Sequence, residues 1–231
     1  MDAITVPIAQ RMASHISRGK PLDVLEVGCG ERSLASAVPS ATWTGIDVDA
    51  IALSRSISAQ RRAVADMTAI PFPAESFDAL LSFSTLQYVD HDAAFAEFAR
   101  VLRPNGMLLL GENLSRNPIA RMFRLMTALG EALHGCRTVT KQYIEPATCC
   151  ALAKHFHSIS SEPFYLLTPL LFVLRPQPSG SRRAVVGHVS AIALSRLDDA
   201  MLHSALRRFA WMGLILARRR QLLDPASSCL P

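Results

Sequence analysis

The stretch DVLEVGCGERS, Asp23 to Ser33, decides the fold. A short apolar strand runs into Gly28-x-Gly30 and a helix can begin directly after it, the strand–turn–helix arrangement that receives dinucleotides in doubly wound α/β proteins. Two residues break the dinucleotide pattern. Ser33 stands where its third glycine belongs, and Glu26 closes the strand with a carboxylate that would repel a diphosphate and attract an ammonium. Gly28 and Gly30 let a ligand approach the backbone, so the ligand expected here is one that is cationic beside Glu26.

Outward from this loop, apolar runs of strand length alternate with helical patterns: LDVLEV, TWTGID, RAVAD, FDALLSF and GMLLLGE. Strands apolar on both faces and separated by helices predict a mostly parallel sheet covered on both sides. DAAFAEFARVL puts Ala94, Phe95, Phe98, Val101 and Leu102 on one helical face, and RPNG turns the chain into the next strand. DAIALSRSISAQ reads as the helix after the second strand. Beyond Glu112 the alternation slackens into an amphipathic helix, NPIARMFRLMTALGEALHG, a shorter one, EPATCCALAKHF, and a sixth strand, SISSEPFYLL. WMGLILA, Trp211 to Ala217, reads as a seventh strand, because a continuous apolar run of seven suits the inside of a covered sheet. A mostly parallel sheet of seven strands, with helices on both faces and a helical lid insertion, is expected.

S-adenosylmethionine meets the requirement set by Glu26. It carries an α-amino group and a sulfonium, and it has no phosphate that needs a third glycine. Asp47 lies 21 residues after Glu26, at the end of GID in the second strand, where a carboxylate can accept both ribose hydroxyls. Asp66 follows the third strand and can meet the adenine amino group, with Met67 packing on the ring. Phe83 ends the fourth strand, near the methionine arm. Taken singly, Asp47 and Asp66 are more often helix-cap or turn residues; their order along the chain reverses that in favour of the cofactor reading.

VLEVGCG, GIDVD, ADMTAIPFPAESFDALLSFSTLQYV and FARVLRPNGMLLL, in this order, resemble the class I S-adenosylmethionine-dependent methyltransferases, in particular the type 11 branch that includes the ubiquinone-biosynthesis C-methyltransferases. The resemblance covers roughly Asp23 to Glu112 and implies a Rossmann-like seven-stranded sheet whose seventh strand is antiparallel. It implies that Glu26 reads the amino group, that Asp47 reads the ribose, that Asp66 and Met67 read the adenine, that Val48 beside Asp47 is a further cofactor-binding residue, and that Phe83 borders the methionine end, the product being S-adenosylhomocysteine. The family's usual third loop glycine is Arg32 here.

Composition sets the remaining bounds. A chain of 231 residues, half of them apolar, suffices for one core with an elaboration. The expected layout is one domain over 1–231: a cofactor core over 1–112, helical acceptor-covering elements over 113–157 and 168–206, and the final strand over 211–217. Cys29, Cys136, Cys149, Cys150 and Cys229 form no Cys-x-x-Cys pair and no metal-ligand spacing, so no metal and a reducing cytoplasm are expected. The first 20 residues hold no continuous apolar segment of the kind that directs export. Residues 1–112 carry 9 Lys+Arg against 13 Asp+Glu, net −4, whereas residues 113–231 carry 15 against 6, net +9. The basic half suggests an anionic partner: a lipid surface at the membrane periphery or a phosphorylated carrier.

Methyl transfer is an in-line displacement in which alignment supplies much of the acceleration. A base helps oxygen and carbon acceptors, and Gln87, Tyr88 and His91 are the candidates after the fourth strand; none is assigned, and the catalytic residue is unknown from sequence. Tyr88 stands where many type 11 relatives have histidine. SFSTLQ in place of an Asn/Asp-Pro-Pro-aromatic run speaks against nucleic-acid base methylation. Four readings remain open: a small-molecule methyltransferase with a bulky apolar, lipid-like or carrier-linked acceptor, a protein or RNA methyltransferase, an inactive cofactor-binding module, and, for the loop alone, an NAD dehydrogenase. In the first reading TPLLFVL and IARMFRLM line the acceptor pocket with their arginines turned to solvent. A homodimer is the other use for those surfaces.

Overall fold

A computed structural model describes residues 5–16, 22–31, 33–37, 40–56, 60–134, 141–167, 196–198 and 200–220. Two compact units divide the chain: Met1–Glu112 with Gln142–Ser161 and Leu214–Pro231, and Asn113–Lys141 with Glu162–Gly213. Arg32, TPLLFVL and most of the 168–206 insertion lie outside the described residues, as do Cys136 and Cys229.

Seven strands form one sheet: β1 (Asp23–Val27), β2 (Thr42–Asp47), β3 (Arg61–Val64), β4 (Phe77–Phe83), β5 (Leu102–Asn113), β6 (Phe156–Phe164) and β7 (Met212–Arg219), in the order β3-β2-β1-β4-β5-β7-β6. The first five pair in parallel. Their apolar continuity follows from that: Val24, Leu25 and Val27 of β1 and Ala79, Leu80 and Leu81 of β4 are all buried, since helices shield both faces. The strand order reverses at β1, whose two neighbours are β2 and β4, and the crevice at such a reversal is where ligands of open α/β sheets bind. WMGLILA is a strand as expected. β7 runs antiparallel between β5 and β6, with the Trp211 N–H donating to Tyr165 O, the Arg220 N–H to His155 O and the Leu114 N–H to Trp211 O.

Among the described residues the helices that accompany the sheet include α1 (Thr5–Ile16), α2 (Ala50–Arg55), α3 (His91–Val101), α4 (Pro118–His134) and α5 (Pro146–Ala153), with further helical residues at 196–198 and 200–202. No element was expected over residues 1–20, yet Ile8, Ala9, Met12 and Ile16 of α1 are buried at helical spacing. α2 starts on Asp49, whose side chain accepts from the N–H groups of Ile51 and Ala52, and it ends at Arg55, shorter than its sequence suggested. α3 has the expected apolar face, with Ala94, Phe95, Phe98 and Val101 buried and Asp90 capping its first turn, except that Leu102 begins β5 and does not extend the helix. α5 packs on α3, where Lys154 pairs with Asp92 at 2.9 Å.

RPNG does not separate α3 from β5 as a free turn. Leu102 already pairs with Phe77, and Met107 with Ala79, so Arg103 to Gly106 bulge from the ladder. Two acids explain the bulge. Arg103 reaches Asp78 at 2.7 Å and Asp23 at 3.1 Å, fastening it to the starts of β4 and β1.

Phe98 is fully buried at the centre of the α3 face. Phe98→Ala should cost about 3–5 kcal/mol, read as a lowered urea midpoint at unchanged slope.

Candidate cofactor site

All eight residues expected at the site belong to the first unit and lie at or beyond the carboxyl ends of β1 to β4. Hydrogen bonds tie the loop after β1 to the end of β2. The N–H groups of Gly28 and Cys29 both donate to Ile46 O of β2, and the Gly30 N–H donates to Asp47 Oδ2 at 2.8 Å. Asp47 Oδ1 takes the Asp49 N–H at 2.9 Å. Each Asp47 oxygen is thus used once, and a carboxylate has about four acceptor positions, so both retain capacity for a ligand hydroxyl.

The two glycines have different duties. Both have positive φ, +69° at Gly28 and +49° at Gly30. A Cβ on Gly28 would overlap Thr85 Cγ2, whereas on Gly30 its nearest neighbour would be Asp47 Oδ2 at 3.9 Å. Gly28 therefore makes room for the loop after β4, and Gly30 alone leaves open space for a ligand.

Glu26 is buried, 4% exposed, at the end of β1. Its carboxylate accepts from Ser33 Oγ at 2.5 Å and from the Leu34 N–H at 3.0 and 3.1 Å, which closes the loop into a short 3-10 turn, Leu34–Ala37. Both donors are neutral. Burial pushes the Glu26 pKa up to about 7, with the two hydrogen bonds opposing that rise. A cation brought to this carboxylate would stabilise its charged form. The adjacent Cys29 thiol is pushed up to about 12 by burial and by the neighbouring carboxylates of Glu26 and Asp47, so it is an inert packing residue.

Around Asp47 three apolar side chains are left bare: Val48 is 69% exposed, Ile51 65% and Val64 59%. Val64 pairs with Asp47 across β2 and β3. Such a shelf is what a flat apolar ring would cover. Asp66 is exposed and Met67 half-buried; Asp66 Oδ1 is occupied by the N–H and hydroxyl of Thr68, both at 2.8 Å, which leaves Oδ2 for an incoming amino group. The segment after them is anchored from α3. Glu97 accepts the Ile70 N–H, and Arg100 donates to Ile70 O and Phe72 O. Phe83 is half-buried, its ring closed over Gly111 of β5.

The loop after β4 has an anchor that sequence reasoning passed over. Glu112 Oε1, at the end of β5, accepts from the N–H groups of Thr85 and Leu86 and from Ser82 Oγ, at 3.0 to 3.2 Å. Burial holds its pKa up at about 7 against those three donors. The signal was available: an acid directly after LLLG, inside an otherwise apolar run. Gln87 is turned inward, with Nε2 on Ser84 O and its own carbonyl accepting the Gln142 N–H. His91 is buried, Nε2 against Leu86 O at 3.1 Å and Nδ1 against Thr148 Oγ1 at 3.4 Å, with its ring stacked near Phe95. With both nitrogens engaged it is a structural histidine. Tyr88 is exposed. Among the described residues no group of three or more His, Cys, Asp or Glu is placed to hold a metal.

Residues 25–110 match the family model described as "Methyltransferase domain". The malonyl-[acyl-carrier protein] O-methyltransferase of Hahella chejuensis is 29% identical over 160 residues, 63% of this chain and 56% of that protein. The fatty-acid O-methyltransferase of Mycolicibacterium smegmatis is 34% identical over 113 residues, 45% and 41% of the two chains. This chain spans about half the length of these curated relatives. In fold it resembles a chain of the solved complex between the Haloferax volcanii Trm112 methyltransferase activator and a methyltransferase, with TM-score 0.64, 14% identity and coverage of 94% and 91%. The matched segment is a class I methyltransferase domain of the type 11 branch, and S-adenosylmethionine is the cofactor of that class. The neutral donors on Glu26, the space at Gly30 and the bare shelf beside Asp47 fit that cofactor.

Two outcomes check this geometry. Gly28→Ala forces the loop after β4 away and should destabilise by roughly 2 kcal/mol or more, whereas Gly30→Ala meets Asp47 Oδ2 only at ordinary contact distance and should leave a smaller loss, limited to its positive-φ strain of about 1 kcal/mol. Glu26 and Glu112 bind protons more tightly folded than unfolded between their ordinary pKa, near 4.5, and about 7. Stability should therefore fall as pH rises through that window, by up to ~1 kcal/mol per unit for each group. Urea unfolding from pH 5 to 8 measures the fall, and Glu112→Gln should reduce it.

Proposed function

We propose that the protein transfers the methyl group of S-adenosylmethionine to a bulky, largely apolar acceptor that is lipid-like or carrier-linked, by O-, C- or N-methylation. The observation that carries methyl transfer is the buried Glu26 carboxylate, held by neutral donors, at the head of a glycine loop tied to Asp47. In this reading Glu26 receives the cationic amino-acid end, Gly28 shapes the loop, and Gly30 admits the ligand to the backbone. Asp47 takes the ribose hydroxyls; Val48 and Met67 enclose the adenine, and Asp66 Oδ2 takes its amino group. Phe83 borders the methionine arm. The bound cofactor supplies an activated methyl on sulfur, and the chain's residues orient it and exclude water. No residue is assigned as a base.

The acceptor reading is supported by the names of the relatives, which act on malonyl-[acyl-carrier protein] and on fatty acids. Residues 1–231 are read as one methyltransferase domain, with 113–157 and 168–206 choosing the acceptor in the cytoplasm. The basic half meets an anionic partner, a membrane periphery or a phosphorylated carrier. No described helix is long and apolar enough to cross a membrane.

Calorimetry with S-adenosylmethionine tests the site. Asp47→Ala should lose roughly 1.5–3 kcal/mol for each ribose hydrogen bond removed. Because a cation lowers the Glu26 pKa from about 7, cofactor affinity should climb as pH rises toward 7 and level off above it, and Glu26→Gln should flatten that climb. Incubation with long-chain fatty acids and acyl-carrier thioesters, followed by mass spectrometry for S-adenosylhomocysteine and methylated product, tests the acceptor. Binding without turnover on either class would favour the inactive-module reading, and absence of binding would remove the whole proposal.

A further inference from the structure

In α4 the apolar stripe of the amphipathic pattern is left exposed, as are Thr127, Ala128 and Ala132 on its other sides. Met122, Leu125, Met126, Leu129 and Leu133 share one stripe about 100° wide at 3.6 residues per turn, and they are 51 to 76% exposed. On the opposite side Ala120 is buried, and the half-buried Arg124 donates to Leu114 O at 3.1 Å. The arrangement in which IARMFRLM turns its apolar side chains inward and its arginines to solvent is therefore reversed at Met122, Leu125, Met126 and Arg124. Asn117 caps the helix through the Ala120 N–H while its amide donates to Leu166 O and Phe209 O, far along the chain, and this fixes which side of the first turn is covered.

The unit that carries this stripe is basic. The second unit carries 11 Lys+Arg against 4 Asp+Glu, net +7, while the first carries 13 against 15, net −2. The tie from Asn117 to Phe209 brings the 3-10 turn Ala205–Phe209 to the N-terminal end of α4, so exposed Arg207 and Arg208 join exposed Arg116 and Arg121 there. Leu206 of the same turn is also exposed. An apolar helical stripe edged by arginines suits an interface whose interior is hydrocarbon and whose surface is anionic.

We propose that α4 docks the protein on an anionic lipid bilayer, with the stripe from Met122 to Leu133 entering the acyl boundary and Arg116, Arg121, Arg207 and Arg208 meeting headgroup phosphates. The surface deepens the functional reading by naming the partner of the basic half, and it rests on that reading only for the idea that the acceptor resides in the lipid.

The test is co-sedimentation of the full chain with vesicles of phosphatidylcholine alone and of phosphatidylcholine mixed with phosphatidylglycerol. Binding is expected to the mixed vesicles and to fall steeply in about 0.5 M salt, where screening shortens to a few Å. Leu125→Ser combined with Leu129→Ser should weaken binding at least about tenfold. Calorimetric affinity of this variant for S-adenosylmethionine should stay unchanged, which shows that the first unit is intact. Failure of the wild type to bind either vesicle overturns the proposal, as does equal binding by the variant. A wild-type dimer that the variant converts to monomer, without vesicle binding by either, assigns the stripe to a second copy instead. Loss of methyl transfer with vesicle binding retained counts against the catalytic reading and leaves the docking surface standing.

Discussion

The N–H of Gly30 donating to Asp47 is the tie on which the candidate site depends. It closes the loop after β1 onto the end of β2, next to the point where the sheet changes direction. The carboxylate comes from one strand and the N–H from a loop 17 residues earlier, so neither position has meaning until the parallel pairing of β1 with β2 is set. Once it is set, Glu26 has one place to go. Its carboxylate turns into the loop, takes Ser33 and Leu34, and is left buried with neutral partners. The protein thereby carries a desolvated acid whose charged form is costly until something positive arrives.

A second buried acid does comparable work on the other side of β4. Glu112 gathers Ser82, Thr85 and Leu86, and Thr85 in turn fills the space that Gly28 leaves empty. The two loops at the site are therefore coupled through one side-chain contact. The exposed shelf of Val48, Ile51 and Val64 completes the picture of a surface that is arranged without being covered. Rigid carboxylates beneath and bare apolar side chains above form a receiving geometry, organised before a ligand binds and so sparing part of the ordering cost.

The two units differ in how their apolar residues are spent. In the first, the strand and helix faces are buried to the last residue in many positions, and the bare apolar side chains adjoin the site. In the second, α4 keeps a stripe of five large side chains outside and sends an arginine toward its covered side. Burying apolar surface is the main favourable term in folding, so an outward stripe has a use beyond the stability of this helix.

The sequence by itself determined the sheet, because strands covered on both faces must be apolar throughout, and it placed Trp211 to Ala217 in a strand for the same reason. It also gave the order of Glu26, Gly30, Asp47 and Asp66, since each ends or follows a strand that periodicity marks. It did not reveal α1, whose spacing of Ile8, Met12 and Ile16 was weak beside the polar residues around them, nor the importance of Glu112, which read as the end of a strand. Only the tertiary structure decided what each residue touches. His91 stood among the candidate bases and is a buried partner of Thr148; Gly28 looked like ligand space and makes room for Thr85; α4 looked like a lid lining and leaves its apolar stripe exposed. Periodicity specifies which side chains share a face, but which way that face turns is fixed by long-range bonds such as those of Asn117 to Leu166 and Phe209, between residues far apart in the chain.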